Sequence, residues 1–157
     1  MSDESAPRPM ANMLAAANEG QTTIQMSPEE FVYLERDCET FKIAIRQIQR
    51  LADEIGDQDH WGLGEANNDL YSARAMVGRY KVKAKGAEDG NSVHLIMEQH
   101  FKIAEDIQNV FRIMRDQMVQ ADSEWAAAFN SLNASLPERP PVEPTPGPHI
   151  LPDGSTR

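Results

Sequence analysis

The sequence predicts an all-α protein, an elongated antiparallel three-helix bundle with disordered termini. Residues 27–135 contain a single proline, and their apolar residues recur at alternating spacings of three and four, which is typical of packed helices. Seven of the ten prolines lie in residues 136–157, where they predict an extended, disordered tail. Residues 1–26 are rich in small and polar types, and a turn or two of helix within them is a weaker alternative to disorder.

The first helix begins at Ser27, which is a good N-cap. Pro28 suits the first helical position and Glu30 completes a capping box. The apolar residues then follow a coiled-coil-like spacing: Phe31, Leu34, Cys38, Phe41, Ile45, Ile48, Ala52 and Ile55. Gly56 is a natural stop.

A second helix is predicted from Ala66 to just before Gly86, followed by a loop with the sequence KGAEDGNS. Asn91 or Ser92 then caps a long third helix. Its first apolar row is Val93, Ile96, His100, Ile103, Ile107, Val110 and Met114, and its second is Phe111, Met114, Met118, Ala121, Trp125, Ala128 and Leu132. The two rows overlap near residues 111–114, where a stutter shifts the register.

The predicted helices differ in length, at roughly 42, 30 and 60 Å for a rise of ~1.5 Å per residue. The distal half of the third helix therefore has less of the second helix to pack on. Either the first helix reaches that far, or another copy or another protein covers the surface. The second alternative is favoured for at least part of it, with four residues as the predicted partner-binding set: Met114, Met118, Trp125 and Phe129.

Composition narrows the classes of partner. The chain of 157 residues has 25 acidic and 15 basic residues, a net charge of −10, which argues against general affinity for nucleic acid or an anionic membrane. No apolar stretch is long enough to span a bilayer, and the N-terminus lacks the features of a cleaved secretory leader. The expected partner is a protein, in a homo- or hetero-oligomer formed through the helices.

The histidine, cysteine and basic residues that could form a metal, catalytic or phosphate site are each explained more simply by their positions on the helices. His94 and His100 lie on different faces of one helix, so no metal site is expected. Cys38 occupies a seam position and is expected to be inert, with no histidine placed to activate it. The basic run Arg79–Lys85 suggests phosphate binding, but the favoured interpretation is that its cations stabilise a helix C-terminus. No catalytic, cofactor-binding or metal-binding residue is predicted.

The break between the first two helices contains Trp61, Gly62, Leu63 and Gly64. A helix, a break with Trp and Gly, and a second amphipathic helix resemble the Trp-x-Gly helical-hairpin proteins of bacterial type VII (ESX) secretion, most closely the larger actinobacterial relatives. The resemblance covers residues 27–133. It implies that Trp61, Gly62 and Gly64 form a helix-to-helix turn that serves recognition. Packing of Trp61 at the end of the bundle is the alternative, and both roles are compatible.

In that family the hairpins dimerise, and a secretion ATPase recognises them together with a Tyr-x-x-x-Asp/Glu signal near the end of the second helix. In this chain a Tyr-x-x-x-Asp sequence runs from Tyr33 to Asp37, at the start of the first helix. The resemblance implies a non-enzymatic type VII substrate or co-secreted partner, secreted without a cleaved signal peptide, that binds other helical proteins and the secretion ATPase. The alternatives are a cytoplasmic adaptor or chaperone for a larger effector and, less favoured, a small helical enzyme or metal protein.

Overall fold

The computed structural model describes residues 8–139 except residue 23, and within these it confirms an all-α fold. The described residues form five helices: α1 (Ala11–Asn18), α2 (Pro28–Asp57), α3 (Tyr71–Ala84), α4 (Val93–Ala121) and α5 (Ser123–Ser135). The prediction of a disordered tail beyond residue 139, and of disorder over residues 1–7, lies outside the described residues.

The longest helices, α2 and α4, pack against each other in antiparallel directions. Glu35 near the start of α2 contacts Arg112 near the end of α4. Asp53 near the end of α2 lies 2.9 Å from the Nδ1 atom of His94 at the start of α4. The three remaining helices pack around this pair: α3 mainly on the C-terminal half of α2, α1 on α4, and α5 on both α2 and α4.

The predicted start of α2 is confirmed in detail. The Ser27 hydroxyl oxygen accepts a hydrogen bond from the backbone amide of Glu30, and the Glu30 carboxylate accepts one from the backbone amide of Ser27. This reciprocal pair satisfies two backbone donors that have no partner within the helix. Ser92 likewise caps α4, where its side chain accepts from the amide of Leu95.

The structure differs from the single long third helix that the sequence predicts. Asp122 ends α4, and its carboxylate accepts hydrogen bonds from the amides of Glu124 and Trp125 at the start of α5. The side chain thus supplies an N-cap in the middle of the predicted helix, because aspartate competes with the backbone for these donors. Within residues 27–135, four helices (α2 to α5) therefore stand where three are predicted.

The structure also differs from the disorder predicted for residues 1–26, because it places α1 within them. Ala17 is fully buried, and its carbonyl accepts a hydrogen bond from the side chain of Gln117 on α4. At the other end of α1, the Nε atom of Arg8 lies 2.5 Å from the buried carboxylate of Asp106. Contacts with α4, rather than local propensity, hold this short helix in place.

Candidate protein-binding surface

The Trp-Gly break is a compact turn organised by one acidic residue, Glu65. Its carboxylate accepts hydrogen bonds from the backbone amides of Trp61 (2.6 Å), Gly62 (3.2 Å) and Leu63 (2.9 Å). These bonds favour the ionised form, so they lower the pKa of Glu65 to about 2, with the Trp61 amide as the largest cause. Sequence reasoning missed Glu65, although an acidic residue directly after a glycine-rich break is a recognisable signal for such an anion-in-turn arrangement.

The two glycines of this turn adopt backbone conformations that other residues rarely adopt, with φ of 69° at Gly62 and 89° at Gly64. A side chain at Gly64 would also place its Cβ 2.8 Å from a methyl carbon of Leu70. Both positions therefore need glycine for the turn itself. The recognition role predicted for them stays a prediction.

Trp61 packs within the protein as well as facing solvent. Its ring stacks on Tyr80 of α3, with centroids 5.7 Å apart and planes 17° from parallel, and its indole N–H donates to the carbonyl of Gln58. The half-buried ring joins the turn to α3, so the packing alternative has a physical basis in these contacts.

The predicted partner-binding residues lie in the protein's own core. Met114 and Phe129 are buried, and Met118 and Trp125 are half-buried against the same cluster. Because α4 ends at Asp122, α5 brings Trp125 onto Phe31 of α2, with ring centroids 5.4 Å apart. Other helices of the same chain therefore cover much of this surface. The exposed apolar residues lie instead on the C-terminal half of α2.

The unpartnered surface lies on the C-terminal half of α2. Ile48, Leu51 and Ile55 are 41%, 56% and 42% exposed, and their spacing of three and four places them along one side of the helix. We call these three residues the exposed row. Sequence reasoning predicted that Ile48 and Ile55 would be buried in a seam.

The residues that α2 buries instead lie on a neighbouring side of the helix. Gln49 is 4% exposed, and its amide donates hydrogen bonds to the carbonyl of His94 and the carboxylate of Glu98 on α4. Ile45 and Ala52 are buried beside it. The α2–α4 interface at this level is thus partly polar, while an apolar row beside it faces solvent.

Nearer the start of α2, the same two helices enclose an open groove of about 490 Å³. Leu34, Cys38 and Phe41 form one wall, and Ile103, Ala104 and Ile107 form the other. We call this the α2–α4 groove. Its lining includes residues from the apolar rows predicted for the first and third helices. These two rows were expected to pack on each other, but at this level they line the two walls of an open groove.

The groove offers little chemistry of its own. Burial and the neighbouring charges of Glu35 and Asp37 raise the pKa of the Cys38 thiol, which disfavours the nucleophilic thiolate. His100 also lines the groove, but the described residues contain no group of three or more His, Cys, Asp or Glu side chains that could hold a metal. The groove is best suited to taking up apolar side chains.

Two of the four cations at the end of α3, Lys83 and Lys85, pair with acidic side chains. The Lys85 ammonium lies 3.1 Å from Asp53 and 3.9 Å from Asp57, and Lys83 lies 3.7 Å from Asp89. Hydrogen bonding to Asp53 is the main cause of the raised pKa of Lys85. The Lys85 contacts join the end of α3 to α2, so they favour a structural role over phosphate binding for this lysine.

No protein-family model matches this chain, and no curated protein or solved structure matches it either. Among the helices that the structure describes, none combines the length and the apolar content needed to cross a membrane.

Proposed function

We propose that this protein is a non-enzymatic helical protein that acts by packing its exposed row against a helix of another protein molecule. The observation that carries the proposal is the run of three large aliphatic side chains, Ile48, Leu51 and Ile55, each at least 41% exposed. Single exposed apolar residues are ordinary, but a row at helical spacing beside a partly polar interface favours helix-in-groove or helix-to-helix binding.

An exposed apolar residue also lies on the neighbouring helix. On α4, Val93 is 42% exposed at the level where Asp53 of α2 meets His94. Ile96 lies three residues further along the apolar row that leads to the groove. A partner helix lying along this side of the α2–α4 pair would cover residues from both helices, which supports a surface wider than one helix can offer.

The proposed setting is type VII secretion, with the chain as a substrate or co-secreted partner that leaves the cell without a cleaved signal peptide. Support comes from the sequence resemblance and from the compact Trp-Gly turn between α2 and α3, which Trp61 and Glu65 organise. In this setting the partner is a second copy or a related helical hairpin, and the secretion ATPase is a further partner. A cytoplasmic adaptor or chaperone with the same exposed row is the second candidate.

Two experiments separate these proposals. Replacement of Ile48 and Leu51 by aspartate should convert an assembled wild-type protein, alone or with helical hairpins encoded beside it, into a monomer in light scattering. A wild-type chain that stays monomeric in both settings would exclude the binding role. Fractionation of a strain that lacks the secretion ATPase then tests export: an unchanged location would rule out the substrate proposal and leave the adaptor.

A further inference from the structure

The C-terminal end of α2, where the exposed row ends, carries an excess of negative charge. From Leu51 to Ala73 the sequence contains six acidic residues and no lysine or arginine. The last turn of α2 contains Glu54 and Asp57 and no basic residue. Because the free carbonyls of a helix C-terminus are already partly negative, acidic side chains are unfavourable there and cations are favourable. A cation brought to this end would therefore stabilise the helix.

The chain's own cations neutralise only part of this charge. Lys85, just after α3, lies 3.1 Å from Asp53 and 3.9 Å from Asp57. Glu54 and Asp59 are exposed, and neither forms an ion pair with another residue that the structure describes. Two carboxylates at this end are thus available to pair with cations of a partner.

These two carboxylates border the exposed row. Glu54 lies three residues after Leu51, so the two side chains are neighbours on the surface of the helix. Asp59 lies four residues after Ile55, just past the last residue of α2. A helix packed on the exposed row would have one flank beside Glu54 and one end beside Asp59. Charges at the flank of a helix pair select the partner, so these positions indicate its chemistry.

We propose that the partner of the exposed row is a basic amphipathic helix of a different protein. Its aliphatic residues, at spacings of three and four, would cover Ile48, Leu51 and Ile55, and its lysines or arginines would face Glu54 and Asp59. This inference rests on the proposed function, because it names the chemistry of the helix that covers the row. A second copy of this chain fits less well, since each copy has a net charge of −10 and two copies repel each other.

Two synthetic peptides serve as probes of this surface. They share leucines at spacings of three and four, and they carry either lysine or glutamate at the positions beside the leucines. In calorimetric titration of the full-length chain at low ionic strength, the lysine peptide should bind at least about tenfold more tightly. Added salt should reduce this difference, because ions screen exposed charges. Equal affinities, or a lysine peptide that does not bind, would overturn the inference.

Matched variants locate the attraction on the molecule. Glu54→Gln/Asp59→Asn should weaken binding of the lysine peptide by about fivefold, the combined effect of two exposed ion pairs. The control, Asp116→Asn/Glu124→Gln, removes the same two charges from the opposite end of the α2–α4 pair, and it should bind like the wild type. Equal weakening in both variants would overturn the inference, because it would show only a general attraction to an acidic chain.

The exposed row has a separate test in the same titration. Ile48→Asp/Leu51→Asp adds negative charge, so attraction by charge alone would strengthen, whereas loss of the apolar contact should abolish binding of the lysine peptide. Tight binding by this variant would contradict the proposed function itself. If it lost binding while Glu54→Gln/Asp59→Asn bound like the wild type, the row would remain a binding surface and a basic partner would be excluded. Self-association of the wild type that is lost in Glu54→Gln/Asp59→Asn would also overturn the inference, by identifying a second copy as the partner.

Discussion

The two ends of this molecule bury the same kind of apolar sequence to different extents. At the closed end, α1, α5, the first half of α2 and the second half of α4 surround a core that contains Phe31, Val110, Met114 and Phe129. At the open end, the second half of α2 has α3 and the first half of α4 as neighbours, and Ile48, Leu51 and Ile55 face solvent. The difference shows that burial here depends on how many helices are present at each level.

The polar residues follow the same division. At the open end, Gln49 occupies the buried side of α2 and binds the backbone of α4, while aliphatic residues lie beside it. A fully packed bundle would reverse these positions, since burying a polar side chain stabilises a fold only when hydrogen bonds offset its desolvation. The open end therefore has the character of an incomplete bundle that another helix would complete.

The sharpest test of the comparison uses two phenylalanines ten residues apart on α2. Phe31 is 3% exposed and packs edge-to-face on Phe111 and Trp125, whereas Phe41 is 55% exposed. Phe31→Ala should lower the free energy of unfolding by about 3–5 kcal/mol, since it removes a core side chain and leaves a cavity. Phe41→Ala should lower it by less than about 1 kcal/mol. Urea denaturation measures both, and equal losses would contradict the difference in burial between the core of the closed end and the groove side of α2.

A second test concerns α1, which covers part of the core at the closed end by packing on α4. Arg8→Ala leaves the fully buried Asp106 carboxylate without its ion pair. Because Arg8 is itself 44% exposed and screened by solvent, the expected loss is about 1–3 kcal/mol rather than the cost of breaking a fully buried pair. Faster cleavage by thermolysin near Leu14 should accompany it. The exposed Arg50→Ala is the control, and equal cleavage of the two variants would contradict this role for Arg8.

A third test concerns the break that produces α5. Asp122→Ala removes the N-cap and should cost about 0.5–2 kcal/mol in the free energy of unfolding. It also favours a continuous helix, which would draw Trp125 away from Phe31 and weaken the near-ultraviolet circular dichroism of the closed end. Ser123→Ala changes the neighbouring residue without removing the cap. Equal stabilities and equal near-ultraviolet spectra of the two variants would show that Asp122 does not cause the break between α4 and α5.

The smallest expected effect is at the turn of the open end. The folded-state pKa of Glu65, about 2, is below its ordinary value of 4.5, so its ionised form stabilises the turn at pH values above 4.5. That contribution is lost as the pH falls from 4.5 through about 2. In a Trp125→Phe background, Trp61 is the only tryptophan, and its fluorescence should follow this loss. Glu65→Gln should show the altered signal already at neutral pH, and a signal unchanged in Glu65→Gln would contradict the role of the carboxylate.

A helix boundary can be predicted from the sequence when neighbouring residues fix it, and cannot when contacts with distant residues fix it. The start of α2 is local, because Ser27, Pro28 and Glu30 satisfy the helix end by themselves, and its prediction is confirmed. The break at Asp122 is also local, and an aspartate followed by Ser-Glu-Trp is a signal that the apolar spacing concealed. The placement of α1 depends on contacts with Asp106 and Gln117, which are about a hundred residues away, so its own sequence could not reveal it.

The candidate surface was less predictable than the helices. A spacing of three and four shows that α2 has an apolar side, but that side is broad enough to include both Ile45, which is buried, and Ile48, which is exposed. Which row packs inward depends on the position of α4 and on hydrogen bonds made by Gln49. Met114 and Phe129, which were predicted to bind a partner, are core residues because α5 packs on α2 and α4. That packing also depends on contacts between distant parts of the chain.

Sedimentation velocity of the full-length chain, wild type beside the Ile48→Asp/Leu51→Asp variant, tests the role of the exposed row most directly. Urea denaturation of the variant monitors its fold, which should be retained because both positions face solvent. We expect the wild type to assemble, alone or with a helical hairpin encoded beside it, and the variant to sediment as a monomer. Assembly of the variant to the same extent as the wild type, or a wild type that is monomeric in both settings, would contradict a binding role for this surface.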